Sequence, residues 1–135
     1  MKSTLVAGLT GKNTVTIDET RCIGFMGREG MVYATPRMVQ DMEMTCREFL
    51  LPHLDEGEDS VGMHVSIDHL AATPVDMKVT FSVAVEAVDK RKVTFTFTAH
   101  DGMDECGKGT HVRFIVEKAK SAARLADKRA KAGLK

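Results

Sequence analysis

Tryptophan is missing from this chain, and one tyrosine and three prolines are spread through 135 residues. No Pro-, Gly- or Ser-rich run separates two parts, so no interdomain linker is expected, and the 43% hydrophobic content is enough for one domain with a sizeable core. Cysteine is scarce as well. Cys22, Cys46 and Cys106 are odd in number and form no Cys-x-x-Cys pair, which argues for reduced thiols in a reducing compartment and against a disulfide framework. With no His-Glu-x-x-His set either, no metal site and no cofactor are expected. No long apolar run follows Met1-Lys2, so neither a secretory leader nor a membrane span is expected, and a cytoplasmic protein is the reading. A strong excess of either charge is lacking too: 19 Lys/Arg face 19 Asp/Glu. The balance is uneven, because seven cations against the single acid Asp127 fall from Lys118 onward. That run lacks interleaved aromatics and reads as a solvated basic helix or tail, not a nucleic-acid interface.

What is present is concentrated between Thr35 and His69. Thr35-Pro36 is a helix start, with threonine as a cap and proline needing no donor in the first turn. Met38, Val39, Met42, Cys46, Phe49 and Leu50 then recur with a 3.6-residue period, which predicts an amphipathic helix from Thr35 to Leu50, ended by Pro52. Glu43 lies at the margin of the apolar stripe, where partial burial would make it a candidate base or nucleophile. A surface ion pair with Arg47, four residues on, is its plainer role. A strand is predicted from Ser60 to Leu70. Strict alternation puts Val61, Met63, Val65, Ile67 and His69 on one face, and Gly62, His64, Ser66 and Asp68 on the other. His69 is then either a hydrogen-bonded core histidine or an imidazole aimed at the helix.

The rest of the chain alternates. Asn13 to Asp18 is a short strand. Met77 to Val88 has Met77, Val79, Phe81, Val83, Val85 and Ala87 inward, and the next strand has Val93, Phe95, Phe97 and Ala99 inward. A last strand, about Gly107 to Glu117, carries Thr110, Val112, Phe114 and Val116 on one face. Between the first strand and the helix, Glu19 to Ala34 has no period. Ile23, Phe25, Met26, Met31 and Val32 would give it the apolar underside of a lid, or of a short irregular helix packed on the core. One helix with a convincing apolar stripe must cover one face of about five antiparallel strands. The expected fold is therefore α+β: a central helix lying in the concave face of a curved antiparallel sheet, as one domain over residues 1–117, followed by a basic Ala/Lys-rich helix or tail over 118–135.

That arrangement resembles the hotdog fold, and the motifs are more particular. Ala34-Thr35…Met38-Val39…Met42-Glu43, His69-Leu70-Ala71-Ala72-Thr73-Pro74, Ala99-His100-Asp101-Gly102-Met103-Asp104-Glu105 and Gly109-Thr110-His111-Val112-Arg113 resemble, in collinear order, the fluoroacetyl-CoA thioesterase-like family of hotdog thioesterases. The resemblance implies hydrolysis of an acyl-CoA or other acyl thioester by a Thr/Glu/His site at Thr35, Glu43 and His69. It implies a glycine near the substrate at Gly62 and an acyl-covering lid with Phe25 and Met26; since coenzyme A carries phosphates, basic residues such as Lys78, Arg91, Arg113 or the tail are the candidates to guide it. It also implies at least a homodimer, with two sheets joined edge to edge. Pro36 stands where that enzyme has glycine, and the lid has only Phe25 and Tyr33 as aromatics, so the resemblance does not carry the fluorinated acyl group over. A non-catalytic hotdog module that binds an acyl-CoA is the competing expectation.

Overall fold

A computed structural model describes residues 1–134. Five strands form one antiparallel sheet: β1 (Thr10–Thr16), β2 (Glu58–His69), β3 (Lys78–Asp89), β4 (Lys92–His100) and β5 (Glu105–Glu117), in the order β1-β3-β4-β5-β2. The long helix α1 (Thr35–Leu50) precedes β2 and packs in the concave face. A second helix, α2 (Lys118–Lys131), follows β5 directly and buries none of its residues. This is the hotdog arrangement expected from the patterning. Among the described residues no helix is long and apolar enough to cross a membrane.

The core is the interface between one stripe and one sheet face. Met38, Met42, Cys46 and Leu50 of α1 are fully buried against Val79, Phe81, Phe95, Ala99 and Ile115 from the strands. Gly107 lets the helix come this close, because a Cβ there would stand 2.7 Å from Met38 Sδ. Thr45 is the polar member of the buried stripe, and its hydroxyl donates back to the Asp41 carbonyl at 2.8 Å.

The faces of three strands differ from what the apolar pattern suggests, each with a consequence. In β3 the register shifts between Val85 and Ala87, so Ala87 is exposed and Val88 turns to the core instead. In β5 the inward row is Gly107, His111, Arg113 and Ile115, while the apolar-looking row Thr110, Val112, Phe114 and Val116 faces outward. In β2 the register shifts between Gly62 and His64, leaving Met63 as an extra residue opposite β5. Before this bulge Glu58, Ser60 and Gly62 face the helix side; after it Val65, Ile67 and His69 do. Val61 and Met63, expected inward, are therefore exposed.

Candidate active site

Thr35 is the first residue of α1, and the residue with extended backbone ahead of it is Ala34. The threonine is thus not the cap that its sequence context implies. Its hydroxyl is free to turn sideways, and it meets His69 Nδ1 at 2.7 Å. Its backbone N–H has no partner among the described residues, since Pro36 has no N–H and the amides of Arg37 and Met38 both donate to the Ala34 carbonyl.

His69 closes β2. The chain leaving it is pinned by Leu70 N–H donating to the Cys106 carbonyl at 2.8 Å, and the Tyr33 ring meets the imidazole edge-on at 6.3 Å. Tyr33 is in turn held by its hydroxyl on Asp41, a carboxylate that also receives the Arg21 guanidinium at 3.0 and 3.3 Å. Burial pushes the His69 pKa down, so the ring is neutral at neutral pH. Its Nε2 is buried without a hydrogen-bond partner. A cleft of about 350 Å³ adjoins the pair, walled by Ile23, Val32, Tyr33, Ala34, Leu70, Ala71 and Ala72.

Glu43 lies further along α1, its side chain one-third exposed. It does not pair with Arg47, whose guanidinium holds both oxygens of Asp59 at 3.0 and 2.7 Å. The Glu43 carboxylate faces Gly62 and Arg113 instead. Arg113 Nη1 is 3.6 Å from Glu43 Oε2, and a Cβ on Gly62 would stand 2.7 Å from that oxygen. The expectation that Arg113 guides CoA phosphates does not fit its position: it is only 5% exposed. Its Nε donates to Ser60 Oγ at 2.7 Å and its Nη2 to the Ser60 carbonyl at 2.8 Å. Burial lowers its pKa from a very high starting value, and Glu43 acts against that fall, so the guanidinium stays charged.

The chain alone brings together two of the three candidate catalytic residues. Thr35 and His69 touch; Glu43 bonds to neither. Eight residues of helix put Glu43 about 12 Å further along the axis than Thr35. Phe25 and Met26 stand at the tip of the 22–33 segment, 82% and 64% exposed, while Ile23 and Val32 nearer its base wall the cleft. That base is stapled by bridges between Cys22 and Tyr33 and between Val32 and Pro74. Sequence reasoning missed His111 and Ser60, the residues that hold Arg113. Their signal was a polar residue in phase with Ile115 on β5 and one in phase with Gly62 on β2, visible only once the inward rows are known.

Residues 17–119 match the family model described as fluoroacetyl-CoA-specific thioesterase. The fluoroacetyl-CoA thioesterase of Streptantibioticus cattleyicolor is 38% identical over 97 residues, covering 72% of this chain and 70% of that protein. A crystal structure of a fluoroacetyl-CoA thioesterase superposes with a TM-score of 0.84 at 30% identity, covering 92% of this chain and 97% of that one. A Thermus thermophilus thioesterase-superfamily member superposes with a TM-score of 0.81 at 30% identity, covering 93% and 96%.

Proposed function

This chain belongs to the fluoroacetyl-CoA-specific thioesterase family, and we propose that it hydrolyses acyl-CoA thioesters to the free acid and CoA, with Thr35, Glu43 and His69 as its catalytic residues. The observation that carries this reading is the 2.7 Å hydrogen bond between the Thr35 hydroxyl and a half-buried, neutral imidazole, at the start of a helix and beside an apolar cleft. The acyl group occupies the cleft. Its carbonyl oxygen lies at the α1 N-terminus, where the unpartnered Thr35 N–H and the helix dipole stabilise the developing oxyanion. Glu43 supplies the anionic oxygen, as base for water or as nucleophile, and His69 holds and passes the proton needed by the departing thiol. The test is thiol release across short, branched, aromatic and long acyl-CoAs. Turnover with Thr35→Ala, Glu43→Gln and His69→Ala each lower by orders of magnitude is expected; tight acyl-CoA binding without turnover on any substrate would instead make the chain a binding module.

The distance between Glu43 and the Thr35–His69 pair supports a second part of the proposal: the working site belongs to a cytoplasmic homodimer. β2 is an edge strand, with an unpaired side from Val61 to Asp68. Two copies joined antiparallel along this edge about a two-fold axis at Ser66 would pair residues of the same face, and with the bulged Met63 left out would bring Gly62 of one copy opposite His69 of the other. Glu43, which sits over Gly62, then reaches the Thr35–His69 pair of the second copy. Mixing inactive Glu43→Gln with inactive His69→Ala protein tests this directly. Subunit exchange should restore about a quarter of wild-type activity, because half the dimers are mixed and each mixed dimer has one complete site. No recovery, with exchange verified, would place the site within one chain.

A further inference from the structure

We propose that His111 is a positioning residue for Glu43, acting through Arg113 and through the β2 bulge. The proposal rests on Glu43 taking part in the reaction. His111 is fully buried on the concave face of β5, in a row where aliphatic side chains would pack at lower electrostatic cost. Both ring nitrogens are used. Nδ1 lies 2.8 Å from the His64 carbonyl, which can only accept, so Nδ1 carries the proton. In the neutral ring Nε2 is then an acceptor, and Arg113 Nη1 donates to it at 3.2 Å.

These two bonds converge on one carboxylate. His64 is the first residue after the bulged Met63, so the Nδ1 bond secures the register shift that turns Gly62 toward Glu43. The Nε2 bond takes one direction of Arg113 Nη1 and leaves the other toward Glu43 Oε2, 3.6 Å away. Ser60 fixes the remaining guanidinium nitrogens. A guanidinium held at three points cannot swing away from Glu43, and the bare Gly62 leaves the carboxylate its space. Burial lowers the His111 pKa, which agrees with a neutral ring packed against a guanidinium.

His111→Phe keeps an aromatic ring, somewhat larger than imidazole, and removes both bonds; His111→Gln keeps an acceptor for Arg113. The expected result is kcat lower by roughly ten- to a hundredfold in His111→Phe with KM within about twofold, the scale of an ångström-sized misplacement. His111→Gln should recover most of kcat, and His111→Phe added to Glu43→Gln should lower kcat no further. A purely structural residue would lower thermal stability in both variants and leave kcat per folded molecule unchanged, which would overturn the proposal. Glu43→Gln alone separates the two levels. If it retains wild-type turnover, the function assigned to Glu43 fails and this proposal with it; if it is inactive while His111→Phe is fully active, only the positioning role fails. Should His111→Phe not fold, ¹⁵N-detected NMR of the wild-type imidazole decides: a neutral Nδ1–H ring is expected, and an Nε2–H ring would overturn the proposal.

Discussion

Thr35 is available for chemistry because of a detail of helix ends. Ala34 is the residue with extended backbone, so the threonine lies one position inside the helix and its hydroxyl turns to His69 instead of capping. Gly62 matters at the same scale. Gly62→Ala should cut turnover sharply, because the added methyl would stand 2.7 Å from Glu43 Oε2 and also crowd the buried His111 Cε1 at 3.2 Å; steady-state kinetics beside calorimetry separate the loss of turnover from any loss of stability. The half-buried His69 and the buried His111 set a pH dependence. His69 and His111 both have pKa values pushed below 6.5 by burial, so the unfolded chain binds more protons than the folded one as pH falls through 6.5. Stability should therefore decline from pH 7.5 to pH 5.5 and stop declining from this cause below the depressed folded values. The depressed carboxylates Glu58, Asp59 and Asp101 contribute their stability across this whole range and lose it only as pH falls below their ordinary values of 4.5, 3.8 and 3.8. Thermal melts across this range should show a flatter profile for His111→Gln.

At the scale of elements, α1 carries two independent functions on neighbouring faces. Its buried stripe holds the sheet, and its margin presents Glu43. Arg47→Ala separates them: it breaks the bidentate contact with Asp59, which ties α1 to β2, yet leaves Glu43 with Arg113. The expected outcome is a slightly lower melting temperature and unchanged hydrolysis, in contrast to Glu43→Gln. Met42→Ala tests the stripe, and losing a fully buried side chain there should cost about 2–5 kcal/mol in a denaturant titration. The 22–33 segment is fixed at its base and projects Phe25 and Met26 at its tip. Val32 is the wall residue at the fixed end, so Val32→Phe should narrow the cleft and move the kcat/KM preference toward shorter acyl chains, while kcat on the best substrate changes less. Equal loss on all chain lengths would mean that the segment serves packing instead.

For the whole molecule, the proposed composite site depends on one sheet edge. Met63, extruded by the bulge, is 57% exposed on that edge. A lysine there opposes strand addition, so Met63→Lys should give a monomer by light scattering and lose activity together with the dimer. A monomer with full turnover would contradict the composite site. α2 projects from the other side of β5's end as a basic rod, with Lys120 and Lys131 paired only to acids within reach of the helix itself, Glu117 and Asp127.

Periodicity alone determined the fold. The bounds of α1, the inward rows of β3 and β4 as far as Val85 and Ala99, and the need for one helix to cover one sheet face all follow from where apolar residues recur, since hydrophobic burial is set by composition and spacing. Periodicity does not single out Thr35, Glu43 and His69 as a site, since it leaves Glu43 as a surface partner of Arg47; the family resemblance of the short motifs that contain them does. Tertiary structure decided the rest. An extra residue at Met63 reverses the faces of β2 upstream of it, which period-two reading cannot register, and so Gly62 and Ser60 lie under Glu43 while Val61 is exposed. Arg113 looked like a surface cation and His111 like nothing in particular. Both are buried because β5's inward row is its polar-looking one, and a row's direction is set by pairing with β2 and β4 and not by its own residues. Whether Glu43 meets Thr35 and His69 is not a property of the local sequence, because eight helical residues separate Glu43 from Thr35 by about 12 Å along the axis.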